Sequence, residues 1–292
     1  MRIALRIFLL AIGLASSIDA TGRAGTLVEF PNLSDRTPTK LLGYLARPDA
    51  GLSGLLANNT NRATSYPAVV VLHGCGGISS HSAQIADKLG SWGYVALAVD
   101  SLGPRGIVGQ CGGGLFEEQA IDAYAALRYL SQLDDVDPAK VAVLGQSMGG
   151  AAALYAVDRT LVAQYFDQRF RAAIAYYPGH GCGFPASLMT APTLVLLGEA
   201  DDWTPAEPCR EMVAHARPDG ATITLTVYPS AYHAFDVAEL NPGIRFLSHW
   251  LEYNEPAAKD AEQKLRAFLA ANLGGVSPEE PAGQVRQNGL AK

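Results

Sequence analysis

Four unbroken apolar runs, Pro67–Leu72, Tyr94–Val99, Val141–Leu144 and Ala172–Tyr177, constrain the fold of this chain more than any other feature. A strand that faces water on one side alternates polar and apolar residues. A run without alternation must be covered on both faces, as in a parallel sheet. Thr193–Leu197 and Thr222–Tyr228 continue the series, and helical patterns lie between the runs. These are Ser82–Leu89, Pro205–Ala216, and Phe116–Leu133, which is apolar at 116, 120, 124 and 127 and carries Glu117 and Glu118 at its positive end. Strands alternating with helices predict an α/β fold: a doubly wound, mostly parallel sheet with helices on both faces. Thr26–Phe30 and Lys40–Arg47 read as an antiparallel pair that opens the sheet. Ala257–Leu273, stopped by Gly274, reads as the closing helix.

With 49% apolar and 17% charged residues in 292, the chain has enough core for one large domain, read here as residues 21–275. A net charge of −6 without any Lys/Arg cluster argues against nucleic acid as a partner, because phosphate neutralisation needs a basic stripe. Residues 1–20 read as a secretory signal: Arg2 and Arg6, then the apolar run Ile7–Ala15, then Ser16, Ser17 and a small residue at Ala20. That run is too short to span a bilayer, which takes about 20 helical residues, so the expectation is a periplasmic or secreted protein without a membrane anchor. Residues 276–292 combine Pro, Gly, Gln and charge with little to bury and read as a disordered tail. Export gives the four cysteines, Cys75, Cys111, Cys182 and Cys209, a compartment that permits disulfides.

The candidate chemistry gathers where the strands end. Gly145-Gln146-Ser147-Met148-Gly149 follows Val141–Leu144 directly and leads into the small-residue segment Gly150–Leu154. A serine on such a strand-to-helix turn needs tiny neighbours at −2 and +2, and the turn lifts its Oγ clear of the sheet. Serine at neutral pH also needs a base, itself oriented by an acid. After Thr193–Leu197 comes Gly198-Glu199-Ala200-Asp201-Asp202-Trp203-Thr204-Pro205, where Asp201 is the candidate acid and Asp202 the alternative. After Thr222–Tyr228 comes Pro229-Ser230-Ala231-Tyr232-His233-Ala234-Phe235, and His233 is the candidate base, because His215 and His249 fall within helical patterns. An oxyanion hole needs backbone N–H groups: Met148 is expected to supply one, and Cys75, favoured over Gly76 in His73-Gly74-Cys75-Gly76-Gly77, the other. His73 is expected to brace that loop. Two competing readings remain at this level. One is a metal- or redox-binding envelope protein using the repeated His-Gly-Cys at 73–75 and 180–182; the other is a fold of this kind retained for binding alone.

Taken in order, His73-Gly74-Cys75-Gly76, the Gly145–Gly150 turn, Gly198–Pro205 and Tyr228–Phe235 resemble the α/β-hydrolase fold and, within it, the dienelactone hydrolase family, over Leu41–Leu273. The resemblance implies a serine hydrolase that needs no cofactor and no metal, acting on a small ester, thioester or lactone, with Ser147, Asp201 and His233 as nucleophile, acid and base. Three family features are replaced. Members that hydrolyse dienelactone carry Cys at the nucleophile and Glu after the loop His, where this chain has Ser147 and Gly74; their Arg four residues past the base is Val237 here. Arg105 stands near the family's other carboxylate-binding Arg, in a loop one residue longer. The loops Asp100–Leu115 and Gly179–Met189, together with Trp203 and Tyr232 as an apolar wall, are expected to rim the site. In the resembled fold the strand ending at Leu72 lies beside the one ending at Val99, and that ending at Tyr177 beside that ending at Leu197. The implied disulfides are therefore Cys75–Cys111 and Cys182–Cys209.

Overall fold

The computed structural model describes residues 25–33, 38–48, 65–183 and 188–274. The proposed signal at 1–20 and tail at 276–292 lie outside the described residues, as does part of the 179–189 loop.

Eight strands form one sheet: β1 (Thr26–Pro31), β2 (Lys40–Ala46), β3 (Tyr66–Leu72), β4 (Val95–Asp100), β5 (Val136–Gln146), β6 (Ala172–Tyr176), β7 (Thr193–Gly198) and β8 (Ile223–Tyr228). Their order is β1-β2-β4-β3-β5-β6-β7-β8. The opening pair is antiparallel and joins β4 antiparallel; every later pairing is parallel. The uninterrupted apolar runs are buried throughout, with Val69, Val70, Leu97, Val143, Ile174 and Val195 each at 0% exposure. That is the double coverage their lack of alternation calls for.

Helices α1 (Ser80–Ser91), α2 (Phe116–Leu130), α3 (Met148–Val157), α4 (Glu207–Ala214) and α5 (Glu255–Leu273) cover the sheet. Every residue of α3 is buried, so its composition of Gly, Ala, Met, Leu, Tyr and Val carries no polar stripe. The α5 helix is amphipathic: Ala257, Ala261, Leu265, Leu269 and Leu273 recur every fourth residue on its buried face, and Asn254 Oδ1 accepts the Ala257 N–H at its start.

The winding direction reverses between β3 and β5, and a crevice opens at the carboxyl ends of strands at such a point. Register sets what meets there. Leu72 pairs with Gly145, so the His73 loop and the Ser147 turn leave the sheet side by side. Gly198 pairs with Tyr228, which places the loops of Asp201 and His233 at one level.

Both expected disulfides are present, Cys75–Cys111 and Cys182–Cys209. The second closes 27 residues and ties the turn Gly179–Cys182 to α4, just past the Asp201 loop. In the chain-entropy account a loop of that length contributes about 3.5 kcal/mol. The double variant Cys182→Ala/Cys209→Ala is therefore expected to lose most of that in urea unfolding, with a somewhat larger m-value as the unfolded chain expands; a loss under about 1 kcal/mol would contradict the account. No helix among the described residues is long and apolar enough to cross a membrane.

One expectation fails. His249 is not helical: it opens β10 (His249–Leu251), paired antiparallel with β9 (Ile244–Phe246). The hairpin is closed by Leu247 and Ser248, both at positive φ (47° and 72°), the conformation of a two-residue primed turn.

Candidate active site

Ser147 joins β5 to α3 and sits at φ 53°, ψ −116°, a backbone region that costs a non-glycine residue about 1–3 kcal/mol. The surroundings hold it there. Its N–H donates to Tyr176 O at 2.9 Å, and its carbonyl accepts from Ala151 N–H at 2.9 Å. The flanking glycines are required by contact: a Cβ on Gly145 would collide with the Gly149 carbonyl, one on Gly149 with the Leu72 carbonyl, and one on Gly150 would come within 2.7 Å of Tyr176 O.

The three candidate residues meet. His233 Nε2 lies 3.1 Å from Ser147 Oγ, and His233 Nδ1 lies 2.8 Å from Asp201 Oδ2. His233 and Asp201 are buried at 3% and 4% exposure, while Ser147 is half-buried. Asp201 is held from all sides: its Oδ1 accepts the N–H groups of Trp203 (2.9 Å) and Thr204 (2.8 Å), and its Oδ2 accepts the Thr204 hydroxyl (2.6 Å). Burial alone would raise the Asp201 carboxyl, but the bonds from His233 and Thr204 outweigh it and hold it below the ordinary carboxylate value. An ionised Asp201 fixes the His233 proton on Nδ1 and leaves Nε2 free to accept from serine. Asp202, the alternative, is exposed and turned to the hairpin, where its Oδ1 accepts the Trp250 N–H at 3.2 Å.

Met148, as the first residue of α3, has an N–H without an intrahelical partner. Cys75 is tethered by its disulfide and by the Gln110 N–H, which donates to the Cys75 carbonyl at 2.8 Å. His73 braces this loop. It is buried; its Nδ1 donates to Gly74 O (2.7 Å), its Nε2 accepts the Ser101 N–H (3.1 Å), and burial pushes its pKa down. A Cβ on Gly74 would stand 3.6 Å from Ser147 Cβ, so glycine leaves the space beside the Ser147 turn open.

Arg105 requires a correction. Its guanidinium is spent inside the protein, donating to both oxygens of the buried Asp122 carboxylate (2.7 and 2.9 Å) and to Ser101 O (2.6 Å). A bidentate buried pair of this kind leaves no fork for a substrate carboxylate. Trp203 packs its ring 4.8 Å from the His233 ring and stacks on His249 at 5.0 Å. Tyr232 instead meets the edge of Trp250, at 6.5 Å, so the two aromatics expected to share one wall have different neighbours. Both His-Gly-Cys cysteines are consumed in disulfides, which removes the thiolates that a metal-binding reading would use.

Beside these residues lies a cluster that sequence reading missed. Asp236 Oδ1 accepts the Tyr177 hydroxyl at 2.6 Å, and its Oδ2 accepts from Gln146 Nε2 at 2.6 Å and faces His81 Nε2 at 3.3 Å. Burial would push His81 down, but its hydrogen bond and charge contact with Asp236 outweigh that and raise its pKa. A proton bound more tightly by the fold stabilises it below the unfolded value near 6.5, and that contribution is lost as pH rises through the raised folded value. His81→Gln is therefore expected to lower Tm most below about pH 6 and least above about pH 8, by calorimetry; an equal drop at both would contradict the pairing.

The model of the dienelactone hydrolase family matches residues 52–273. The chain belongs to that family. Its fold is the α/β-hydrolase fold. An "Uncharacterized protein" of Mycobacterium tuberculosis is 33% identical over 167 residues, covering 52% of this chain and 58% of the relative. The chain thus spans little more than half the length of that relative. Among solved structures, a dienelactone hydrolase-like promiscuous phosphotriesterase from metagenomic libraries superposes with a TM-score of 0.64 at 20% identity, covering 86% of this chain and 100% of that one. Esterase 2 of Thermogutta terrifontis, phosphorylated by paraoxon, gives 0.59 at 19% identity over 87% and 96%.

Proposed function

We propose that this dienelactone hydrolase family member is an exported serine hydrolase that cleaves a small carboxylic ester, thioester or lactone through an acyl-enzyme on Ser147. The observation that carries this reading is the unbroken hydrogen-bonded line from Ser147 Oγ through His233 to Asp201, with the serine held on a positive-φ turn.

In the reaction, His233 Nε2 takes the Ser147 proton as Oγ attacks the substrate carbonyl carbon. The carbonyl π electrons move to oxygen, and the Met148 and Cys75 N–H groups receive the resulting oxyanion. Collapse of the tetrahedral intermediate breaks the bond to the leaving alkoxide or thiolate, which takes the proton from His233. Water then repeats the sequence on the acyl-enzyme, releasing the acid and restoring Ser147. Asp201 keeps the imidazole in the useful tautomer and stabilises its cation.

The substrate side is read from what lines the rim. With Arg105 committed to Asp122, the carboxylate clamp implied by the resemblance is missing from that position. The ring of Trp203, continued by Phe246 at 5.9 Å, offers an apolar surface beside His233. This favours an uncharged ester or lactone over an anionic one. Export is supported by the basic-apolar-small pattern of residues 1–20 and by the two disulfides. A panel of p-nitrophenyl esters of graded acyl length, neutral lactones and their carboxylate-bearing counterparts tests the reading. Turnover of neutral esters or lactones above their anionic counterparts is expected; turnover of none, or a preference for the anions, would overturn it.

A further inference from the structure

The Asp236 cluster assembles four side chains that are distant in sequence: His81 from α1, Gln146 from the end of β5, Tyr177 just past β6, and Asp236 three residues beyond His233. Gln146 and Tyr177 are buried, and the Asp236 and His81 side chains are 13% and 17% exposed. Burying a carboxylate costs more than packing an apolar residue of similar size, so stability alone is a weak reason for the arrangement.

Its contacts lead to the reacting pair from two directions. Gln146 is the residue immediately before Ser147, and its Nε2 donates to Asp236 Oδ2 (2.6 Å), with His81 Nε2 at 2.8 Å and the Tyr177 oxygen at 3.1 Å. Tyr177 gives its hydroxyl proton to Asp236 and lays its ring 4.7 Å from the His233 ring. Trp203 lies 4.8 Å from that same imidazole ring, so two aromatic rings pack against the imidazole. Tyr177 itself stands at φ 37°, a conformation that neighbouring contacts must hold. One carboxylate thus fixes the residue that carries the nucleophile turn and the ring that packs on the base.

We propose that Asp236 is a positioning residue for the Ser147–His233 contact, acting through Gln146 and Tyr177. The proposal rests on the reading of Ser147 and His233 as nucleophile and base. Asp236 touches no substrate atom in this account. It holds Oγ and Nε2 at hydrogen-bonding distance, so its loss changes the acylation step and leaves substrate binding alone.

The test uses the full chain with Asp236→Asn, Tyr177→Phe and the double variant. Steady-state kinetics on a p-nitrophenyl ester are read together with the rate at which a fluorophosphonate labels Ser147. Asp236→Asn keeps the shape but turns one acceptor into a donor; Tyr177→Phe keeps the ring on His233 and removes only the hydroxyl. Asp236→Asn is expected to lower kcat and the labelling rate together by about 10- to 100-fold, with KM within about two-fold of wild type. Tyr177→Phe should show a smaller fall of the same kind. The double variant should be no slower than Asp236→Asn alone, because both changes break one contact. A kcat per folded molecule within about two-fold of wild type, whatever happens to Tm, would overturn the proposal, as would losses that multiply in the double variant. If Asp236→Asn does not fold, the split between kcat and KM in Tyr177→Phe decides by the same criterion. Wild-type turnover in Ser147→Ala would instead overturn the nucleophile reading on which the proposal stands.

Discussion

Ser147→Ala and His233→Ala are each expected to lower kcat by about 10⁶-fold, with the double variant scarcely worse than either. The reason is the shared proton. In the proposed mechanism Ser147 Oγ becomes a nucleophile only as His233 Nε2, 3.1 Å away, removes its hydrogen, so losing either partner removes the same step. What remains in the variants is the polarisation of the carbonyl by backbone N–H groups, which does not depend on either side chain. The fold should survive Ser147→Ala, and rates for His233→Ala are taken per folded molecule, because loss of the imidazole leaves the buried Asp201 without that partner. Ser147 is half-buried, and alanine has a Cβ no larger than serine's in the same positive-φ turn. Steady-state rates on a p-nitrophenyl ester check this. Retention of full activity in Ser147→Ala would remove the serine from the mechanism, and multiplied losses in the double variant would mean that the two residues do not act as a unit.

Asp201→Asn is expected to cost about 10⁴-fold in kcat with little change in KM, through the tautomer of the base. Asp201 Oδ1 accepts two backbone N–H groups, from Trp203 and Thr204. In the asparagine variant those donors keep the amide oxygen at the Oδ1 position. The amide NH2 must then stand where Oδ2 now faces His233 Nδ1 at 2.8 Å. A donor there forces Nδ1 to accept, which moves the imidazole proton to Nε2 and turns it against Ser147. Asp202→Asn makes a sharp control: that carboxylate is exposed and serves the Trp250 N–H, so kcat should stay near wild type. A larger loss in Asp202→Asn than in Asp201→Asn would exchange the two assignments.

How much of this was legible in the chain follows from the range of the forces involved. The central strands were readable because burial on both faces writes itself into unbroken runs such as Pro67–Leu72. The Ser147 turn was readable because sterics demand glycine at 145 and 149, whatever else the chain does. Choosing Asp201 over Asp202 rested on position alone; the structure adds Thr204, whose hydroxyl and N–H both serve Asp201 and which no motif had singled out. The hairpin at Ile244–Leu251 was missed because its turn is Leu247-Ser248, without the Gly or Asn that usually marks positive φ. Arg105 was misread because its partner Asp122 lies on α2, at a spacing that reads as an ordinary helical position. Asp236, Tyr177, Gln146 and His81 carried no local signal at all: only the sheet order brings positions 81, 146, 177 and 236 together.

Trapping the covalent intermediate tests the central claim most directly. The protein is treated with a fluorophosphonate, digested, and its peptides weighed by mass spectrometry, with Ser147→Ala alongside. The account predicts one adduct, on the peptide containing Ser147, formed in step with loss of esterase activity and absent from the variant. An adduct on another residue, or undiminished turnover of esters by a protein that Ser147 labelling has saturated, would contradict it.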